Sequence, residues 1–335
     1  MLTRAAITEV VERGLVEDAP WGDITSEHLI PADASARAEL VAREAGVFSG
    51  GQVFAATFAA VDPAVTVEMV EQDGERFEAG DTLAVVTGPA RAVLTGERVA
   101  LNLTQRMCGI ATLTARYVAA VEETVARVEK AADLPYGTIT RTRVADTRKT
   151  TPGLRVLEKH AVRSGGGHNH RHSLSDAVMA KDNHLALLTA DGTDVTGALR
   201  QLRRRLPHTV HLEVEVDRLD QIEAVLAGGA DTVMLDNFSV DDLVSGVAII
   251  DGRATVEASG GVSLETVGEI AATGVDVISV GALTHSARSL DLGLDIALGA
   301  APGTSPSTSP GTATGDDGAP AAGPATGSGP HPAGG

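Results

Sequence analysis

The second half of the chain repeats one motif, and that motif restricts the fold more than any other feature. Short apolar runs rich in β-branched residues begin near positions 209, 232, 254 and 276, each followed by a loop and an amphipathic helical pattern. The units read HTVHLEVEV then DRLDQIEAVLAGG, DTVMLDN then FSVDDLVSGVAI, ATVEASGG then VSLETVGEIAATG, and DVISVGAL with a short helix. Strands that alternate with helices at a spacing of about 22 residues form βα units, and these build a parallel sheet. Two further units fit upstream, around VADTRKT and DAVMAKDN. Six repeats in one direction predict an α/β barrel, closed or nearly closed, with a doubly wound open sheet as the alternative.

The first hundred residues follow a different pattern. Thr3 can cap a first helix whose Ile7, Val10, Val11 and Leu15 share one face. Beyond the polar turn EDAPWGDITS, the runs ARAELVARE, GVFSGG, VTVEMVEQDG, TLAVVTGP and RAVLTG carry strand-and-turn punctuation. This predicts a mixed α+β domain. A long helical pattern opened by Thr95 and running to about Arg127 is expected to bridge it to the repeats. From Ala301 to Gly335 the chain holds seven of its fourteen prolines and no Leu, Ile, Val, Phe or Met. Such a segment cannot repay the entropy of ordering, so a disordered tail is expected.

Charge and composition exclude several function classes. The formal charge is −18, and one Trp, two Tyr and five Phe leave few platforms for stacking bases, so nucleic acid is not an expected partner. One cysteine, Cys108, permits no internal disulfide framework and no Cys-based zinc site, and suits a reducing compartment. No apolar run approaches the ~20 residues that span a bilayer. Glu9 and Glu12 interrupt the start where a signal peptide needs an apolar stretch. A cytoplasmic protein is expected.

Function in such barrels sits at the carboxyl ends of the strands, which here carry Lys181, Glu215, Asp236, Ser259-Gly260-Gly261 and Gly281. In HLEVEV the side chains of His211, Glu213 and Glu215 share one face. Two carboxylates pointing into a barrel are costly unless cations or a ligand meet them. Glu215 is the better functional candidate, whereas Glu213 suits a role holding its neighbours. Asp236 either serves the site or caps the following helix. The glycines of ASGGV and SVGAL admit close backbone approach, and together with the helix starts after them point to phosphate.

Residues 141 to 181 are basic in an otherwise acidic chain, with nine Lys and Arg against three carboxylates and four of the ten histidines. Arg155, Lys159 and Arg163 read as the outer face of a helix. Arg148, Lys149, Arg171 and Lys181 do not, and guanidinium forks of this kind predict a substrate with several negative charges. His168, His170 and His172 alternate along HNHRH, but without a nearby acidic or Cys ligand a metal is the weaker reading. Arg106 falls on the apolar face of its helix, where it either snorkels to a surface carboxylate or reaches a neighbouring subunit.

The run DTRKTTPGLRVLEKHAVRSGGGHNHRHSLSDAVMAKDNH resembles the signature of the quinolinate phosphoribosyltransferase family. The resemblance continues through EDAPWGDIT, GERVALNLTQRMCGIAT, LEVEV, VMLDN, EASGG and SVGALTHS, over roughly residues 15–298. Extra residues near 130–138, Cys108 in place of a small Ser and the tail depart from the pattern. The resemblance implies transfer of phosphoribosyl from phosphoribosyl pyrophosphate to quinolinate, with decarboxylation to nicotinate mononucleotide. It implies an incomplete six-strand α/β barrel at 117–285 and a mixed α+β N-terminal domain, 1–116, closed by a C-terminal helix within 286–298, with the tail at 299–335.

By position, the resemblance implies that Arg106, Arg148, Arg171, His170 and Lys181 surround the pyridine dicarboxylate, with Thr147 beside them. Lys149 and Lys181 would face the pyrophosphate, with Lys149, Glu215 and Asp236 as the catalytic group. Glu215 and Asp236 would meet the ribose and its Mg2+, and Ser259, Gly260, Gly261 and Gly281 the 5′-phosphate. A homodimer is implied, with Arg106 supplied by the neighbouring subunit. The rival readings are a phosphoribosyltransferase for another heteroaromatic acid and a non-catalytic sugar-phosphate-binding barrel.

Overall fold

A computed structural model describes residues 2–135 and 142–298. The Pro-rich tail and part of the segment near 130–138 lie outside the described residues. The first helix, α1 (Arg4–Asp18), starts as expected, with Thr3 Oγ1 accepting the Ala6 amide and Ile7 and Val11 buried. α2 (Ile24–Leu29) is capped by Asp23, whose carboxylate accepts the Ser26 amide at 3.0 Å.

Next come β1 (Ser35–Ala42), β2 (Gly46–Val47), α3 (Gly51–Val61), β3 (Thr66–Met69), β4 (Arg76–Phe77) and β5 (Thr82–Pro89). β2 pairs with β4, while β1, β3 and β5 belong to a four-stranded antiparallel sheet. α3 is absent from the sequence-based expectation. GQVFAATFAAV shows no polar face to reveal a helical period, because apart from Gln52 its outward positions are alanines such as Ala59 and Ala60. Its cap is also distant in sequence: Asp73 Oδ1 accepts the Gly50 and Gly51 amides at 2.9 and 3.1 Å.

α4 (Ala90–Ala131) has 42 residues, about 63 Å at ~1.5 Å per residue, and starts at Ala90 rather than Thr95. RAVLTG is therefore its first turns, not a strand. α4 contributes to two hydrophobic clusters. Val93, Ala100, Leu101 and Cys108 join the core under the antiparallel sheet, while Met107, Ile110, Tyr117 and Val121 join that of the repeats.

The repeats supply β6 (Arg143–Ala145), α5 (Arg155–Ser164), β7 (Val178–Ala180), α6 (Asp182–Leu188), α7 (Val195–Arg205), β8 (Leu212–Val216) and α8 (Ile222–Ala227). β9 (Thr232–Asp236), α9 (Val240–Ile250), β10 (Thr255–Ser259), α10 (Val267–Ala272), β11 (Val277–Ser279) and α11 (Ala282–His285) complete them. The six strands are parallel in the order β6-β11-β10-β9-β8-β7, so β6 and β7 are the two free edges of an incomplete barrel. Part of the β6 edge is covered by the incoming loop, where the His168 amide donates to Val144 O at 2.8 Å and the Asp146 amide to His168 O at 3.0 Å.

The last described segment corrects an expectation. Residues 292–298 form a strand, β12 (Leu292–Leu298), not a closing helix, and add antiparallel to β1 at the edge of the N-terminal sheet. Leu292, Leu294 and Ile296 alternate in LGLDIAL and pack on that sheet's core, the period of a strand.

Two contacts make the packing testable. A Cβ at Gly165 would lie 2.3 Å from Ala111 O and 2.6 Å from Thr114 Cβ, so α5 ends against α4 only because this position lacks a side chain. Gly165→Ala is expected to lower stability by about 1–3 kcal/mol, read as a drop in the urea midpoint at unchanged slope. Cys108 is buried and its thiol pushed up to about 12, chiefly by desolvation. It should stay unlabelled by a thiol reagent in the native protein and react fully on unfolding.

Candidate active site

A cavity of about 550 Å3 opens at the carboxyl ends of the parallel strands. Thr147, Arg148 and Lys149 reach it from just beyond β6, His170 and Arg171 from the loop before β7, and Lys181 from the end of β7. Glu215, Asp236 and Ser259 stand at or near the ends of β8, β9 and β10, with Gly260 and Gly261 beyond. Register explains the grouping. β8 and β10 both pair with β9, placing Glu215 beside Met234 and Ser259 beside Asp236.

The glycine loop is shaped by a close approach. Gly260 and Gly261 have φ of +88° and +62°, and a Cβ at Gly260 would stand 2.2 Å from Asn237 Oδ1. The helices after the two glycine loops, α10 and α11, have only six and four residues, and α10 starts well past Gly261. At this loop it is the backbone of Gly260 and Gly261, and not a helix N-terminus, that borders the cavity. Asp236 does not cap the following helix: Ser239 does, and Asp236 accepts from Asn237 Nδ2 at 2.8 Å.

The cations divide by partner. Lys181 Nζ donates to Glu215 Oε2. Arg171 donates to Ala177 O at 3.0 Å and Arg148 Nε is buried with no hydrogen-bond partner. Burial first, and then the charge of Arg148, depress the Arg171 pKa below its ordinary value. Two guanidiniums therefore share a cavity, neither bonded to a carboxylate among the described residues.

Behind the cavity lies a fully buried ion pair. Lys159 Nζ donates to Asp146 Oδ1 and, at 2.9 Å, to His170 O. Asp146 also accepts the His170 amide at 2.9 Å and Asn169 Nδ2 at 2.7 Å. Desolvation raises the Asp146 pKa and lowers that of Lys159, and each charge pulls the other back. The sequence placed Lys159 on an outer helix face; it points inward instead, to Asp146 just beyond the end of β6.

A quinolinate phosphoribosyl transferase N-terminal domain model matches residues 23–108, and the C-terminal domain model matches residues 110–295. The chain belongs to the quinolinate phosphoribosyl transferase family. It is 42% identical over 296 residues to the nicotinate-nucleotide pyrophosphorylase [carboxylating] of Mycobacterium leprae, covering 86% of this chain and 96% of that one. It is 38% identical over 288 residues to a probable enzyme of the same name from Bacillus subtilis, covering 86% and 92%. The crystal structure of NadC from Streptococcus pyogenes superposes with a TM-score of 0.79 at 39% identity, over 88% of this chain and 97% of that one.

Most of the residues carried over from this phosphoribosyl transferase family line the one cavity. Two do not. Gly281 lies just outside, where a Cβ would meet Lys149 Cδ at 3.0 Å. Arg106 is bound within its own chain, donating to Glu158 Oε1 at 2.9 Å, to Ala287 O at 2.7 Å and to Thr284 O. Its carboxylate partner is buried, not the surface group that a snorkelling side chain would meet.

Asn237, Glu257, Met179, Met234 and Ser279 also line the cavity and were not singled out from the sequence. Glu257 was within reach, since it stands two before Ser259 and shares its face of the strand. The acidic neighbours that HNHRH lacked in sequence exist in space, because His170 meets Glu213 and Glu257.

Removing Lys159 alone would strand a buried carboxylate. Lys159→Met is expected to cost about 3–5 kcal/mol, measured by denaturant unfolding.

Proposed function

We propose that the chain transfers the phosphoribosyl group of phosphoribosyl pyrophosphate to quinolinate and releases CO2, pyrophosphate and nicotinate mononucleotide, a decarboxylating step of de novo NAD biosynthesis. The observation that carries this reading is the pair Arg148 and Arg171, unmatched by carboxylate, in one cavity with Lys149, Lys181, Glu215 and Asp236. A pyridine dicarboxylate supplies two anions for guanidinium forks, and a single carboxylate would leave cations unmatched. The names of the relatives agree.

The chemistry follows from those charges. The ring nitrogen of quinolinate attacks the anomeric carbon, and the bond from that carbon to the pyrophosphate oxygen breaks through an oxocarbenium-like state. Glu215 and Asp236 stabilise the positive charge on the ribose, and Lys149 and Lys181 the departing pyrophosphate. The new bond leaves the ring nitrogen cationic beside the 2-carboxylate. As that carboxylate leaves as CO2, its electron pair stays on the ring carbon next to the cation, and a proton then replaces it. The arginines hold the acid in this geometry, and Gly260 and Gly261 leave room for the 5′-phosphate against the backbone.

Glu215 and Asp236 are hard oxygen donors on one cavity wall, with Asn237 beside them, a donor set that fits Mg2+. When bound there, Mg2+ would neutralise charge on the pyrophosphate as it departs. The reading includes a cytoplasmic homodimer, but the Arg106 guanidinium, bound to Glu158, Ala287 O and Thr284 O of its own chain, is not assigned to the neighbouring site. No described helix is long and apolar enough to cross a membrane.

The deciding experiment incubates the protein with phosphoribosyl pyrophosphate, Mg2+ and either quinolinate or nicotinate. CO2 and nicotinate mononucleotide from quinolinate alone are expected, whereas turnover of nicotinate would overturn this account of the arginines. Arg171→Ala should raise KM for quinolinate and lower kcat, each by about tenfold or more.

A further inference from the structure

Two carboxylates, one lining the cavity and one behind it, have been given no part in the reaction. Glu213 on β8 and Glu257 on β10 both point inward, and each side chain is only 5% exposed. His170 Nε2 lies 3.0 Å from Glu213 Oε2 and 3.7 Å from Glu257 Oε1. The Oε1 atoms of both carboxylates are buried without a hydrogen-bond partner. The three groups offer ligand atoms within 4.8 Å of one another, a spacing a divalent metal could bridge.

The other ring nitrogen speaks against a metal. His170 Nδ1 accepts the Arg171 amide at 2.8 Å. Desolvation lowers the His170 pKa, but the hydrogen bond and charge of Glu213 and the charge of Glu257 outweigh it and raise the pKa. In the neutral ring present at mildly alkaline pH, an accepting Nδ1 places the single proton on Nε2, where it is donated to Glu213 and leaves no lone pair for a cation. Both ring nitrogens have partners within the chain, Nδ1 the Arg171 amide and Nε2 the Glu213 carboxylate. Its effect on the cavity passes through Arg171, whose main chain it holds and whose guanidinium is tied to Ala177 O. Two carboxylates so close and so dry do not both hold a charge cheaply. Desolvation first, then the charge of Glu213, push Glu257 up to about 7, so around and below neutral pH a large share of Glu257 is a neutral acid.

We propose that Glu257 is a positioning residue for the dicarboxylate subsite: with Glu213 it fixes the His170 ring in its Nε2–H form, and that ring fixes the backbone from which Arg171 reaches the substrate. The proposal rests on reading the cavity as the quinolinate site.

The test compares full-length wild-type protein, Glu257→Gln and Glu257→Leu. Glu257→Leu is expected to raise KM for quinolinate by about tenfold while leaving KM for phosphoribosyl pyrophosphate within about twofold. Glu257→Gln, which keeps a hydrogen-bonding group of the same shape, should restore quinolinate KM to within about threefold of wild type. A parallel rise in both KM values, or no rescue by Gln, would overturn the proposal. A second readout needs no turnover: imidazole 15N NMR in mildly alkaline buffer, with the His170 signal assigned by its loss in His170→Gln. The Nε2–H tautomer is expected in wild type and Glu257→Gln, and the Nδ1–H tautomer in wild type would overturn the proposal. So would a stoichiometric metal that co-purifies and is lost in Glu257→Gln. Failure of wild type to use quinolinate would refute the functional reading, whereas the tautomer tests the positioning role regardless.

Discussion

The site depends on one buried ion pair. Lys159 and Asp146 are fully withdrawn from water, and each alone would be expensive there. Together they draw three chain segments to one point. Asp146 directly precedes the Thr147-Arg148-Lys149 run, Lys159 belongs to α5, and both hold the main chain of His170. Pairs of this kind contribute little net stability, but they penalise alternative arrangements heavily. The cationic wall of the cavity has its geometry because any other placement of these segments leaves a charge or a backbone group unpaired.

Charge distribution then separates the site from the rest of the molecule. The chain is strongly acidic, yet the segment delivering Arg148, Lys149, Arg171 and Lys181 is basic. An acidic surface repels polyanions in general, whereas a cavity of concentrated cations admits a small one that fits. Within it, Lys181 is already matched to Glu215, while Arg148 and Arg171 have no carboxylate partner among the described residues. In the proposed reading, a dicarboxylate completes that unmatched pair.

The parts legible in the sequence are those governed by period and local chemistry. The βα repeat gave the parallel sheet, the ends of the strands gave Glu215, Asp236 and Ser259, and Thr3 marked the first helix. Three elements escaped because their causes lie elsewhere in the chain. α3 presents mostly alanine on its exposed side and is capped by Asp73, so it shows neither an amphipathic face nor a local cap. β12 becomes a strand because β1 offers it an edge. Lys159 looked like a surface residue because nothing nearby in sequence announces that α5 buries it against Asp146.

The sequence alone determined the architecture and the sign of the chemistry, since both follow from residue type at short, regular spacing. It also determined most of the residues that line the cavity, because a parallel strand delivers its last inward side chain to a known end. Only the tertiary structure decided how those residues are paired. That His170 meets Glu213 and Glu257, that Arg106 is bound to Glu158, and that Gly260 makes room for Asn237 all depend on contacts between distant segments. Hydrogen bonds and ion pairs act over a few ångströms, and proximity on that scale is set by packing the whole chain, not by any stretch of it.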